Sequence, residues 1–172
     1  AEQVGAVYTI RVRDGNLEGF NTDVYGFEQS LREAFFPAGF PAKISALILG
    51  SGGASRAVQY VLSKAAIPFQ IVSRNKEKGD LGYGELTEAL MHTHHLIINT
   101  TPLGMHTQEE ACQDIPYRFL GPNHYLYDLI YNPSKPVFLK KGEAQGSRIQ
   151  NGLRMLHLQA DRAWSVWNAH ID

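Results

Sequence analysis

The segment Gly50-Ser51-Gly52-Gly53-Ala54-Ser55 carries the strongest chemical signal in this 172-residue chain. It follows the mostly apolar run Ile44–Leu49 and opens a stretch of helical character, Ala54 to Ala65. Residues without side chains let a backbone approach a pyrophosphate, and a helix N-terminus adds unpaired N–H donors and a favourable dipole. Against the strict G-x-G-x-x-G/A pattern the last position is Ser55, small but neither Gly nor Ala. About twenty residues after Gly53, where an NAD site places a carboxylate for the ribose 2′-hydroxyl, the chain has Ser73-Arg74-Asn75 and then Lys78. A guanidinium there suits a 2′-phosphate, so these residues favour NADP over NAD. The plain alternatives are a bare strand-to-helix turn and two solvated surface cations. Asp23 is a further acid, which on its own reads as a first-turn carboxylate favoured by a helix dipole.

The elements that must position these residues follow from pattern. Val7, Thr9 and Val12 flank Asp14-Gly15, a strong two-residue turn signal, which predicts a hairpin over 6–13 and 17–20. Thr22 is the expected N-cap of a helix whose apolar positions are Val24, Phe27, Leu31, Ala34 and Phe35; Pro37, Gly39 and Pro41 end it. The run 44–49, the glycine turn, the helix and a second short strand, Phe69–Val72, form a βαβ unit. Leu96–Ile98 and Tyr125–Ile130 are further apolar runs bounded by turn residues, so a parallel sheet is the economical reading. Three glycines between Arg74 and Glu85 argue for a loop or single turn rather than a crossover helix. From Gly152, residues Leu153, Leu156, Ala160, Ala163 and Trp167 recur at helical spacing. The expected fold class is α/β: a Rossmann-like, doubly wound parallel sheet over 21–172, preceded by a short N-terminal β-hairpin over 1–20.

Six segments, in order, resemble the C-terminal part of the shikimate dehydrogenase family. Gly19–Gly26 is similar to its G-x-N-T-D-x-x-G segment, and Leu49–Ala57 to its nucleotide-binding turn. Ser73-Arg74-Asn75 matches an N-R-T motif with two substitutions, and Ile98–Met105 resembles I-N-A-T-P-L-G-M. Asp128–Pro133 and Asn151–Ala160 resemble the D-x-x-Y-x-P and N-G-L-x-M-L-x-x-Q-A segments. The resemblance implies reversible, NADP-dependent oxidation of shikimate to 3-dehydroshikimate. It implies that Asp23 forms, with a Lys, the catalytic pair at the substrate hydroxyl, and that Gln159 and Tyr131 also meet substrate. Gly50, Ser51, Gly52, Gly53, Ala54, Ser73, Arg74, Asn75 and Lys78 would hold the cofactor. So would Asn99, Thr100 and Thr101, with Leu129 and Gly152 near the nicotinamide.

Two departures matter. The family's substrate domain, with its Ser-x-Ser motif and the segment carrying the catalytic Lys, has no counterpart among these residues, so the chain is expected to be inactive alone. The family's G-A-x-N-T segment appears as Gly5-Ala6-Val7-Tyr8-Thr9, with Tyr8 in the place of a substrate-binding Asn. The alternative readings are a quinate/shikimate-type dehydrogenase and a nucleotide-binding regulatory module without turnover. A hairpin left without its neighbouring domain would expose an edge, and a homodimer through that edge is expected.

The remaining chemistry is thin. Net charge −1 gives no electrostatic reason for a nucleic acid or an anionic membrane as partner. No apolar run approaches a membrane span, and residues 1–15 lack the zones of a signal peptide. A single cysteine, Cys112, excludes an intrachain disulfide and fits the cytoplasm; its acidic loop, Glu109-Glu110, argues against a nucleophile. His92, His94 and His95 lie close together without Cys or carboxylate partners and read as surface histidines rather than metal ligands.

Overall fold

The computed structural model describes residues 4–169. The chain first forms an antiparallel hairpin, β1 (Thr9–Arg13) and β2 (Asn16–Phe20). Its turn residues Asp14 and Gly15 both have positive φ, 49° and 77°, as a two-residue primed turn requires. Helix α1 (Thr22–Phe35) follows. Its N-cap is Asn21 rather than the expected Thr22: the Asn21 side chain accepts from Val24 N–H at 3.2 Å. Thr22 is instead buried, its hydroxyl bonded to that of Thr9 at 3.0 Å, so it ties the hairpin to the helix.

Five strands then build one parallel sheet: β3 (Ala46–Leu49), β4 (Phe69–Val72), β5 (Leu96–Asn99), β6 (Tyr125–Asp128) and β7 (Arg148–Gln150), in the order β4-β3-β5-β6-β7. Helices α2 (Gly53–Lys64), α3 (Glu88–Thr93), α4 (Val137–Ala144) and α5 (Leu153–Asn168) connect or follow them. Strands β3 and β5 have no exposed surface on either side, and their alternation divides the core in two. Ala46, Ile48, Leu96 and Ile98 meet Phe27, Leu31, Val58, Leu62 and Met155 from α1, α2 and α5. Leu47, Leu49 and Ile97 meet Met91, Phe138 and Leu139 from α3 and α4, with Ile115 and Leu120 from the long β5–β6 connection. Helices therefore cover both faces, as expected of a doubly wound fold.

The expected strands 44–49, 96–98 and 125–130 differ from β3, β5 and β6 by one or two residues at their ends. Ala54–Ala65 becomes Gly53–Lys64, and the stretch after Arg74 holds two single 3₁₀ turns, Lys76–Lys78 and Tyr83–Glu85. The sequence reading did not include α3, α4 or β7. Helix α4 and strand β7 are short, and β7 is only partly buried, so neither leaves a full period of apolar residues to read. The hairpin docks on α5 of its own chain. Trp167 Nε1 donates to Ile10 O at 3.0 Å, and the Arg11 guanidinium donates to Val166 O at 3.0 Å. Val12 and Leu17 remain exposed on its outer side.

Candidate active site

The strand order reverses between β3 and β5: β3 leads into α2 on one face of the sheet, and β5 into the long β5–β6 connection on the other. In open α/β sheets that reversal opens a crevice beyond the carboxyl ends of the strands. Gly50 and Thr100 stand at its two lips. Gly50 has φ +106° and packs against Thr100 so closely that an added Cβ would lie 2.8 Å from Thr100 Oγ1. The Thr100 hydroxyl donates to Leu49 O at 2.8 Å, which fixes the turn to β5. Beyond it Gly52 caps α2 without any side-chain hydrogen bond to the helix, and a Cβ there would meet open space. Ser55 N–H donates to Gly52 O at 3.2 Å, and the N–H groups before it, on Gly53 and Ala54, are open to a ligand. Ser55, the departure from the glycine pattern, is buried with its hydroxyl donating to Gly52 O at 2.6 Å and accepting from Gln59 at 3.1 Å. It is a packed residue of the helix and costs the turn nothing.

A cleft of about 230 Å³ runs from this turn over the end of β4, lined by Gly50, Ser51, Gly52, Ser73, Arg74 and Tyr83 with Thr100, Thr101 and Pro102. The Ser51 and Ser73 hydroxyls are 3.1 Å apart, and Ser73 Oγ also accepts from Asn75 N–H at 3.2 Å. Arg74 is exposed and, among the described residues, makes no ion pair, whereas nearby Lys76 is held by Glu85 at 3.1 Å. Burial raises the Tyr83 phenol above its ordinary pKa, opposed by the Arg74 charge beside it. Asn75 and Lys78 do not line this cleft. Asn75 instead caps the 3₁₀ turn through Glu77 N–H at 3.0 Å, and Lys78 ends that turn, exposed.

A second cleft, about 350 Å³ and mostly apolar, continues over β5 and β6 between Ala54, Thr100, Thr101, Pro102, Met105, His106 and the Leu129–Asn132 loop. Its two loops are joined underneath. Asn99 is fully buried: its Oδ1 accepts from Thr101 N–H and Oγ1, at 2.9 and 2.8 Å, and its Nδ2 donates to Asp128 Oδ1 at 2.9 Å. Asp128 Oδ1 also accepts from Ile130 N–H at 3.0 Å, while Oδ2 is buried with no partner among the described residues. Burial pushes the Asp128 carboxyl up to about 7. Asn99 therefore holds the walls of this cleft from below and does not line it.

The third cleft, about 300 Å³, joins the second at Leu129 and Tyr131 and brings together Tyr8, Asp23, Gly152, Met155, Leu156 and Gln159. Asp23 sits in the first turn of α1, half-buried, and loss of solvent raises its carboxyl above the usual range. Gln159 lines the same cleft from α5, its Oε1 accepting from the Thr22 hydroxyl at 3.4 Å, because α1 and α5 pack at Gly26, where an added Cβ would be 2.6 Å from Met155 O. Gly152 is needed for the same kind of reason, since a Cβ there would collide with Leu129 O. Asp23, Tyr131 and Gln159, three substrate candidates widely separated in sequence, thus share one cleft with Leu129 and Gly152.

The sequence reading passed over Tyr83, Met105, His106 and Ile130, which line the first two clefts; each lies in a connection whose path only the folded chain defines. His124 is not a surface residue. It is buried, its Nδ1 accepting from Gly121 N–H and its Nε2 donating to Met91 O, and burial holds its pKa down. Among the described residues no group of three or more His, Cys, Asp or Glu is placed to hold a metal ion. Cys112 has a neighbour beyond its acidic loop: Lys141 Nζ lies 3.2 Å from its sulfur. Among the described residues no helix is long and apolar enough to cross a membrane.

No family model matches the chain. A curated relative, a shikimate dehydrogenase (NADP(+)) of Methanococcus maripaludis, is 37% identical over 97% of this chain, which spans 64% of that relative's length. The solved structure of shikimate 5-dehydrogenase from Thermus thermophilus, in complex with NADP(H) and shikimate, is 31% identical with a TM-score of 0.81 and covers 99% of this chain and 65% of its own. Quinate dehydrogenase from Corynebacterium glutamicum superposes with a TM-score of 0.85 over 97% of this chain and 64% of its own, at 24% identity, and so shows likeness of fold alone. By sequence and by fold, over the length that it covers, the chain is similar to shikimate dehydrogenases.

Proposed function

We propose that this chain is the NADP-binding part of a shikimate dehydrogenase, and that its three clefts are one groove holding the cofactor from its 2′-phosphate to the reacting carbon. The observation that carries the reading is the continuity of the groove. Thr100, Thr101 and Pro102 belong to both the first and second clefts, and Leu129 and Tyr131 to both the second and third. The residues fit a dinucleotide phosphate: the uncapped start of α2 and open Gly52 suit the pyrophosphate, and unpaired Arg74 suits the 2′-phosphate. Leu129 and Gly152 line the groove at its Asp23 end, without a polar side chain of their own.

When bound, such a cofactor supplies a hydride acceptor or donor. The chain's own residues do the rest. Asp23, its carboxyl raised by burial, takes and returns the proton of the substrate hydroxyl in concert with a partner base. Gln159 offers its amide to a second hydroxyl, and exposed Tyr131 stands at the mouth. The substrate is a cyclohexenol carboxylate, shikimate, oxidised at one ring hydroxyl. Titration of NADP into the isotopically labelled chain tests the reading by amide chemical shifts. Perturbation tracing Gly50–Ala54, Ser73–Arg74, Thr100–Thr101, Leu129 and Gly152 is the expected result. A map that leaves the glycine turn and the β5 and β6 ends unmoved overturns it.

A further inference from the structure

Tyr8 lines the cleft that holds Asp23 and Gln159, and its hydroxyl lies beside the first residue of α2. A methyl group built on Gly53, the first residue of α2, would lie 3.5 Å from Tyr8 Oη. The phenol therefore spans from the candidate substrate cleft to the edge of the glycine turn. Its backbone is pinned on both sides. Tyr8 N–H donates to Phe20 O at 3.0 Å, Asn21 Nδ2 donates to Ala6 O at 3.1 Å, and the Arg56 guanidinium donates to Gly5 O at 2.9 Å. Arg56 belongs to the first turn of α2, so the segment bearing Tyr8 is tied to the helix that presents the phosphate turn.

Such a tether fixes the distance between the phenol and the turn. The hydroxyl itself has no hydrogen-bond partner among the described residues, and the side chain is about half exposed. A phenol both donates and accepts. Held at the start of a helix whose N–H groups have no side-chain cap, it is placed to complete the donor set around a phosphate or the ribose that follows it.

We infer that Tyr8 is a cofactor-contacting residue: its hydroxyl bonds the dinucleotide beyond the glycine turn, on the nicotinamide side of the pyrophosphate, while its ring walls the substrate cleft. The assignment rests on the cofactor reading above. It gives Tyr8 a role different in kind from the substrate-binding Asn that the family resemblance puts at this position, and it makes the ring a limit on the depth of the substrate cleft.

Calorimetry with two ligands separates this assignment from the reading beneath it. The probes are NADP and 2′,5′-ADP, the latter carrying the adenosine end and no nicotinamide riboside. Tyr8→Phe keeps the ring and removes only the hydroxyl. It is expected to weaken NADP by about threefold to tenfold, as one neutral hydrogen bond would, with 2′,5′-ADP unchanged. Equal NADP affinity in the wild type and Tyr8→Phe, or a parallel loss for both ligands, overturns the contact while leaving the cofactor reading in place. Binding of neither ligand by the wild type overturns both.

Discussion

A buried carboxyl at the end of β6 makes the stability of the fold depend on pH. Asp128 Oδ1 accepts from Asn99 and from Ile130 N–H, and Oδ2 has no partner among the described residues, so desolvation dominates and raises its pKa to about 7. The same carboxyl in an unfolded chain titrates near ~3.9. Between these values the folded state holds a proton that the unfolded state has released. The stability from neutral Asp128 is therefore full below about pH 4, declines as pH rises toward 7, and is flat beyond. Asp128→Asn keeps an oxygen for both donors and removes the charge. Relative to the wild type, its urea midpoint is expected to rise between pH 5 and pH 8 by the equivalent of about 2 kcal/mol. A difference independent of pH contradicts this picture. At this scale Arg74 is legible from residue type and position and lines the groove, whereas Asp23 on its own reads as a first-turn carboxylate and only the family resemblance points to the cleft that it lines. What depends on burial is not legible: the structure places Asn99 beneath the second cleft, fully buried and bonded to Thr101 and Asp128.

Glycines at the element ends separate packing from binding. Gly152 opens α5 against Leu129, and an added Cβ there would meet a backbone carbonyl that has no room to yield. Gly152→Ala is expected to cost at least about 1–3 kcal/mol of stability, the usual penalty for overpacking, seen as a lower thermal midpoint. At Gly52 an added Cβ meets nothing within 4 Å, and φ is −83°. Gly52→Ala is expected to shift stability by about 1 kcal/mol or less, through the weaker N-cap alone. In calorimetry it should still weaken NADP at least about tenfold, because the methyl stands where the phosphates approach. Unchanged NADP affinity in Gly52→Ala contradicts the placement of the phosphates. Patterns within one element are readable only in part: the glycine turn and the Asp14-Gly15 hairpin stand where spacing puts them, whereas on α5 Leu153, Ala160 and Trp167 of the expected stripe are exposed and Met155, Leu158, Ala163 and Val166 make the buried face. The N-cap of α1 was misplaced by one residue because Thr22 is recruited by Thr9, a contact set by tertiary packing.

The groove itself belongs to the whole molecule. It exists because the sheet order β4-β3-β5-β6-β7 reverses beside the glycine turn and because α1 and α5 pack closely enough at Gly26 to bring Asp23 and Gln159 into one cleft. No local pattern encodes that meeting, so the sequence named the residues and the topology arranged them. The hairpin is placed by the same kind of packing: Trp167 and Arg11 hold it against α5 of its own chain, while Val12 and Leu17 stay exposed on its outer side. The central claim is that this arrangement selects a dinucleotide by its 2′-phosphate, and calorimetry of NADP and NAD on the wild type and Arg74→Ala tests it most directly. The wild type is expected to prefer NADP, and Arg74→Ala to lose about 1.5–3 kcal/mol of NADP affinity with NAD nearly unchanged. Equal losses for the two cofactors, or no preference in the wild type, would contradict the account.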